Sequence, residues 1–519
     1  MTVTVHCGDK IIKTEADVGA KLSNAVFNAV GVLPDMPCGG AGTCGKCRVA
    51  LKPYRVDGSV PCGALIENGK LSDYGCTDSD AAVVLMCRYT VTCDMDVWLS
   101  AESEIEATTE SSTVDFDFSP ILREGYGLAV DIGTTTVALY LCNFANGKIE
   151  ALESFENPQR GYGSDVITRL DAVNDDEAMA EKMQYLIIEA INNGIAKACE
   201  KANIKAEQIH SAVFAGNTVM EHFFAGYDAR GISKAPFTVS SLFGFSVKAN
   251  ELGVDIWSEG EVYLAPCFSA YVGGDISSGL VSSGVSESEG FELFLDIGTN
   301  GEMGIGGKNG VTLCSTAAGP ALEGAKIECG MPGVPGAVNR VFLDSDGNVA
   351  YETIGGLPAK GICGSGIIDA VAVLLDLELI DEGGYLEEPY YIDKERGIYI
   401  SPADVREIQL AKAAICAGIL TLLEKADKTT DDITRVVLAG GFGSNLNRKN
   451  ACRIGLIPAE LEDKITVAGN TSGAGAVAFL LSETARSRTA DITAKAEYIE
   501  LSGDDVFADH YIEQMMFEE

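Results

Sequence analysis

Three cysteines in the run Cys38-Gly-Gly-Ala-Gly-Thr-Cys44-Gly-Lys-Cys47, and two copies of an Asp-Ile-Gly-Thr turn, are the residues whose types and spacing carry chemistry. A [2Fe–2S] cluster needs four thiolates, three of them on a loop tight enough to wrap it. Gly39, Gly40, Gly42 and Gly45 lack Cβ atoms, so the intervening backbone amides are free to turn toward the sulfurs. A zinc site on a pair of these cysteines fits a glycine-rich, three-cysteine loop poorly. The fourth thiolate must lie downstream, among Cys62, Cys76, Cys87 and Cys93. Cys87 sits in the apolar run Leu85-Met-Cys-Arg-Tyr-Thr, which reads as a rigid strand, whereas Cys76 falls in a loop, Asp73-Tyr-Gly-Cys-Thr-Asp. Cys38, Cys44, Cys47 and Cys87 are therefore the candidate metal ligands; Cys76 is the alternative fourth, and Cys62 and Cys93 read as free thiols.

The turns Asp131-Ile-Gly133-Thr134-Thr135-Thr136 and Asp296-Ile-Gly298-Thr299-Asn300-Gly301 each follow an apolar strand. Such a strand delivers its aspartate to hold Mg²⁺ directly or through water. The glycine lets backbone approach phosphates, and the Thr and Asn side chains and amides donate to phosphate oxygens. One Gly-Thr turn is weak evidence; two of one design point to a nucleotide held between two halves. Val436-Val-Leu-Ala-Gly440-Gly441-Phe-Gly443 is a strand ending in a glycine turn suited to packing against adenosine. Gly361–Asp369 is a small-residue segment opening a helix and suits packing between lobes, and Gly469–Gly475 opens another that would close the pocket. Glu302 is a candidate for orienting water and equally for a structural carboxylate. Glu221-His222 reads equally as a contact to partner or nucleotide and as a helix-start pair; no catalytic residue is assigned. Single-electron chemistry and nucleotide binding in one chain suggest that the nucleotide drives or gates an electron transfer.

These sites need elements to position them. Residues 2–6 and 10–13 alternate like a hairpin, 19–30 carry a helical face (Leu22, Ala25, Val26, Ala29), and 48–51, 83–91 and 96–99 read as strands, together a small β-grasp domain over 1–100. Residues 101–123 read as an acidic linker, extended where Val114, Phe116 and Phe118 alternate. From about 124 the pattern is strand, loop, helix, as in α/β domains. Asp131 and Asp296 stand 165 positions apart, which suits duplication of a whole lobe: 124–290 and then 291–519, the latter with a C-terminal closing segment.

The 519 residues are 46% apolar with 58 glycines, a turn-rich globular composition. A net charge of −38 argues against a nucleic-acid partner and is read either as solubility or as steering toward a redox partner. No apolar run suits a membrane span, and the N-terminus lacks the basic region and apolar core of a signal peptide, which points to the cytoplasm. Eight of the 16 cysteines fall within the first 93 residues, a crowding that signals metal or redox chemistry in a reducing compartment. The later eight follow no ligand spacing.

The cysteine spacing resembles the adrenodoxin-like version of the ferredoxin loop. The order of phosphate 1, phosphate 2, connector and adenosine motifs resembles the superfamily of acetate and sugar kinases, heat-shock chaperones and actin (ASKHA). The whole chain resembles the ferredoxin-fused, ATP-dependent reductive activators of corrinoid proteins, through the cysteine loop, both Asp-Ile-Gly-Thr turns, Ala215-Gly-Asn-Thr-Val-Met-Glu-His222, Ala318-Gly-Pro-Ala-Leu-Glu-Gly324 and Leu438-Ala-Gly-Gly-Phe-Gly443. The resemblance implies a β-grasp ferredoxin domain followed by a two-lobed ATPase, with a [2Fe–2S] cluster, ATP and Mg²⁺ as cofactors. It implies one-electron reduction of inactive Co(II) to Co(I) in the corrinoid protein of a methyltransferase system, fed by an external electron donor. Better-known members carry an additional middle domain after the linker, and only some 25 residues separate Trp98 from Glu124 here. Two other readings stay open: a kinase-like phosphotransferase with a regulatory redox domain, and a nucleotide-gated, chaperone-like binder of cofactor proteins.

Overall fold

The computed structural model describes residues 1–7, 10–30, 47–52, 82–99, 116–163, 165–176, 178–440 and 446–517. The N-terminal part is a mixed five-stranded sheet of β1 (Thr2–Cys7), β2 (Lys10–Glu15), β3 (Arg48–Lys52), β4 (Ala82–Leu85) and β5 (Met95–Trp98), in the order β2-β1-β5-β3-β4. β1 runs parallel to β5 and antiparallel to β2, the expected β-grasp arrangement. Period-two alternation buries Val3, Val5, Val49, Leu51 and Val97, and the helix Leu22–Val30 lays Leu22, Ala25 and Val26 on them. One expectation changes. The strand read over 83–91 ends at Leu85, where pairing with Arg48 stops, and Cys87 sits in a single 3₁₀ turn, Met86–Arg88.

Two six-stranded sheets follow. The first contains β6 (Tyr126–Ile132), β7 (Thr136–Asn143), β8 (Ile149–Glu156), β9 (Ile209–Gly216), β10 (Ser246–Lys248) and β11 (Glu261–Leu264), ordered β10-β11-β9-β6-β7-β8. The second begins with β12 (Phe291–Ile297), β13 (Gly301–Gly307) and β14 (Gly310–Thr316). A small sheet, β15 (Ala337–Leu343), β16 (Val349–Thr353) and β17 (Gly361–Ile362), and a hairpin, β18 (Tyr390–Asp393) and β19 (Ile398–Ile400), are inserted before it resumes. It is completed by β20 (Ile433–Ala439), β21 (Ile465–Gly469) and β22 (Glu497–Tyr498), ordered β21-β20-β12-β13-β14-β22. In each sheet three antiparallel strands are followed by two added in parallel beside the first of them, β9 and β11 in one and β20 and β21 in the other. This is the duplicated lobe that the sequence spacing suggested.

The halves are not cleanly separate. Helix Gly274–Ser282, from the first half, packs Ile276 and Leu280 on Phe294, Leu313 and Val437 of the second sheet. Helix Thr471–Leu481, from the second half, packs Ala476, Phe479 and Leu480 on Ala129, Tyr140 and Val213 of the first. The two helices cross, with Ser282 Oγ donating to Thr471 O at 2.7 Å. A Cβ on Gly475 would intrude on Ser278 O and its carbonyl carbon, so only glycine admits this approach. The boundary at 290/291 therefore divides the chain but not the packing. Gly361–Asp369 does open a helix (Gly364–Asp376), yet it packs within the second lobe rather than between lobes. The end of the acidic linker is docked: Ser119 bridges to the backbone of Leu481 and Glu483, and Phe116 packs beside the first sheet.

Gly475→Ala is expected to cost about 1–3 kcal/mol through overpacking at the crossing. Urea unfolding checks this, and an unchanged midpoint would contradict the close approach.

Candidate functional site: an acidic cleft between two phosphate loops

Asp131 lies near the carboxyl end of β6, paired with Ala215 on parallel β9, and Asp296 occupies the same place on β12, paired with Ala439 on parallel β20. Both reach one cleft of about 260 Å³. Ten sequence-predicted residues line it together: Asp131, Gly133, Thr134, Thr135, Thr136, Asp296, Gly298, Thr299, Asn300 and Gly440. Gly441 and Gly443, like Cys38 and Cys44, lie outside the described residues. Gly440 has φ +83°, and a Cβ there would sit 2.6 Å from Asp296 Oδ1, so glycine is required on both counts. Glu302 also lines the cleft, directly opposite Asp296 on β13. Glu221 and His222 do not: both are 0% exposed, and His222 Nδ1 lies 2.6 Å from Thr218 O, so neither meets a partner.

Further lining residues come from the other motifs: Asn470, Thr471 and Ser472 from the Gly469–Gly475 segment read as closing the pocket, Asn217 from Ala215–His222 and Glu323 from Ala318–Gly324, whereas Asp275 had no motif to announce it. Asp275 opens the crossing helix Gly274–Ser282; the small-residue pair Gly273-Gly274 before it was the available signal. Asn470 Nδ2 and Ser472 Oγ come from the second half of the chain and donate to the two oxygens of Asp131, at 2.9 and 2.7 Å. Asn217 caps its helix through Met220 N and donates from Nδ2 to Thr134 Oγ1 at 3.0 Å. Glu323 accepts from Thr299 Oγ1 at 2.5 Å.

The first phosphate loop is held from behind. Asn157 Nδ2 donates to Gly133 O at 2.9 Å and its backbone N–H to Thr135 O at 2.8 Å. Arg169 Nη2 donates to Thr134 O, its Nε to Gly163 O at 2.9 Å, and its Nη1 to Gln159 Oε1 at 3.3 Å. Arg169 is fully buried, and burial, with Arg160 nearby, lowers its pKa to about 9. With three successive carbonyls tied back, the amides of the turn are left for the cleft.

Electrostatics decide what the cleft can take. Burial first, then the charge of Asp296, pushes Asp275 to about 8; burial, then Asp131, pushes Asp296 to about 7. Burial, then Asp275 and Asp296, holds Glu302 well above the carboxylate range. Asp131 is also raised by burial, offset in part by Ser472 and Asn470. No lysine or arginine is among the described residues lining the cleft. A polyphosphate placed here is repelled unless cations accompany it, and the carboxylates suit a hard divalent cation such as Mg²⁺. Among the described residues no three His, Cys, Asp or Glu side chains converge on a metal position of their own.

At the other candidate site, β3–β4 pairing places Cys47 and Cys87 on neighbouring elements. Met86 N–H donates to Cys47 O at 2.8 Å, and both cysteines are buried in the domain core. Cys93 is only partly buried at the edge of that core, and Cys62 and Cys76 lie outside the described residues.

Fold and cleft together define a two-lobed nucleotide-binding protein with an appended β-grasp domain. Residues 290–519 match the family described as the C-terminal domain of RACo, the ASKHA domain, and residues 126–288 match the RACo middle region. The chain belongs to the RACo family. The middle-region match spans the first lobe. The chain is 28% identical to the corrinoid activation enzyme RamQ of Eubacterium limosum, covering 98% of each. That alignment runs to 608 positions, more than the 519 residues here, so the relative carries segments that this chain lacks. It is 25% identical to a [Co(II) methylated amine-specific corrinoid protein] reductase of Methanosarcina barkeri, over 76% of this chain and 77% of that one. A solved reductive activator for corrinoid, iron–sulfur protein superposes with a TM-score of 0.70 at 28% identity, covering 99% of this chain and 98% of the other. No described helix is long and apolar enough to cross a membrane.

The raised carboxylates set a pH dependence. Because Asp275 and Asp296 titrate near 8 and 7 when folded but near 4 when unfolded, the folded protein binds more protons between those limits. The stability of the nucleotide-free protein therefore falls as pH rises from about 4 to 8. Asp275→Asn is expected to flatten that slope, raise the melting temperature at pH 8 by about 2 °C or more, and weaken Mg²⁺-dependent nucleotide binding. Thermal melts across pH, with and without Mg–ATP, test all three.

Proposed function

We propose that this chain is an ATP-dependent reductive activator of a corrinoid protein, returning inactive Co(II) to Co(I) by one-electron reduction and so supporting corrinoid-dependent methyl transfer. The observation that carries the proposal is the joining of one acidic cleft, lined by both Asp-Ile-Gly-Thr turns, to a domain whose core holds both Cys47 and Cys87. The named relatives act on corrinoid proteins, and the same substrate class follows for this chain.

When bound, a [2Fe–2S] cluster supplies single electrons and Mg–ATP supplies the free energy for an unfavourable transfer; each 100 mV of shortfall costs about 2.3 kcal/mol per electron. The remaining work falls to the chain. Cys38, Cys44, Cys47 and Cys87 hold the cluster. Thr134, Thr135, Thr136, Thr299 and Asn300 donate to phosphate oxygens, while Asp131 and Asp296 face the accompanying Mg²⁺. Gly440, with Gly441 and Gly443, lets backbone lie against adenosine. Asp275 and Glu302, both raised above the usual carboxylate range by burial and by their acidic neighbours, line the same cleft and would orient a water at the phosphates. The electron itself enters from an external donor, and the client is the corrinoid protein of a methyltransferase system. All of this is cytoplasmic chemistry in our reading.

The test is anaerobic. Reduced protein is mixed with a Co(II) corrinoid protein, with and without Mg–ATP, and the Co(I) spectrum is followed. Co(I) is expected to form with ATP and to be lost in Cys87→Ser; its absence in both conditions would return the chain to the phosphotransferase reading.

A further inference from the structure

The first phosphate loop and the N-terminal domain are joined by a continuous set of buried contacts. The short turn Pro158–Tyr162 starts immediately after Asn157, which grips Gly133 O and Thr135 O, and ends at Tyr162. Tyr162 packs against two cores at once, that of the first lobe and that of the N-terminal domain, the latter containing Cys47 and Cys87. A second branch runs in parallel. Arg169 holds Thr134 O and Gln159 Oε1; Gln159 Nε2 donates to Met183 O at 3.0 Å; and Leu186, one turn further along the helix Ala178–Ala202, is itself part of the N-terminal core. Asn157, Gln159 and Arg169 are all 0% exposed, so the steps next to the loop are shielded from water, and Tyr162 is partly buried.

Geometry makes this set responsive to what the loop holds. Phosphate oxygens are met by amides and hydroxyls of Thr134–Thr136, and each peptide plane that turns toward a phosphate carries its carbonyl with it. Those carbonyls are the ones Asn157 and Arg169 grip. A shift of the loop therefore displaces the turn Pro158–Tyr162, and close packing passes the displacement on rather than absorbing it.

Resting on the functional reading above, we infer that Tyr162 and Leu186 are positioning residues that transmit nucleotide occupancy at the first phosphate loop to the Cys47–Cys87 side of the N-terminal domain. Electron transfer is then gated by the seating of that domain on the first lobe. The ring of Tyr162, packed on both cores, is the part that carries this role.

Amide hydrogen exchange of the intact, cluster-reconstituted chain tests this. Mg–ATP is expected to slow exchange in β3 and β4 by about fivefold or more, within the range of ordinary coupling between sites. Tyr162→Ala and Leu186→Ala should each bind Mg–ATP with affinity within about twofold of the parent, since neither lines the cleft, yet lose that response. Tyr162→Phe should keep it. Should Tyr162→Ala not fold, Leu186→Ala alone decides. Mg–ATP binding without slowed exchange in the parent chain would overturn the inference, and so would a response surviving in both alanine variants. Absence of any Mg–ATP binding by calorimetry would overturn it together with the functional reading, which keeps the two failures apart.

Discussion

The close crossing of helices Gly274–Ser282 and Thr471–Leu481 is the constraint on which the rest depends. Each half of the chain lends the other the helix that covers its sheet, so neither sheet is complete alone. The crossing is near enough for Gly475 to rest on the backbone of Ser278, where a side chain would separate the halves. The ends of these same helices carry the site. Asp275 opens one, and Asn470 and Ser472 open the other and reach Asp131. Packing and site geometry are therefore set by one contact, and a rotation at the crossing must change the distance between the two phosphate loops.

That arrangement concentrates negative charge where a negatively charged ligand is to bind. Burial raises the proton affinity of Asp131, Asp275, Asp296 and Glu302, and acidic neighbours raise it further in Asp275, Asp296 and Glu302. Empty, the cleft relieves the repulsion by retaining protons; filled, it requires cations. The cost of assembling these carboxylates is met by the cores on either side, a common pattern in which a functional site is locally destabilising. Arg169 reverses the sign just behind the loop, buried beneath Thr134 with its guanidinium bound to carbonyls and an amide rather than to a carboxylate. Its charge is thus available, through the loop, to whatever anion lies on the other side.

How much of this was legible in the sequence follows from how local each feature is. The Asp-Ile-Gly-Thr turns could be read because strand, aspartate and glycine are contiguous, and their 165-residue separation revealed the duplication. Helix 22–30 and the β1–β2 hairpin were legible from periodicity alone. Cys87 was placed on a strand because Val83–Val91 is largely apolar, but pairing stops at Leu85 opposite Arg48, which composition does not encode. The Gly469–Gly475 segment could be read as closing the pocket, but not that its Asn470 and Ser472 reach Asp131, more than 300 residues away, and Asp275 had no motif to mark it. The exchange of helices between lobes was hidden altogether, since an apolar helix face does not say which sheet it covers.

Duplication gave the two halves matching strands, and the differences between them suggest a division of labour. Opposite Asp131 on β7 stands Ala138, whereas opposite Asp296 on β13 stands Glu302. Asp131 is anchored by Asn470 and Ser472; Asp296 accepts no hydrogen bond among the described residues and titrates near neutrality. A carboxylate already satisfied by two donors is a fixed reference point. One with unsatisfied oxygens and a second acid directly across the strand is the half that can change its partner when a cation or a proton arrives. The first loop is thus the fixed one, its backbone held by Arg169 and Asn157, and the second carries the freer pair of acids, Asp296 and Glu302. A symmetric pair of loops would have no such direction.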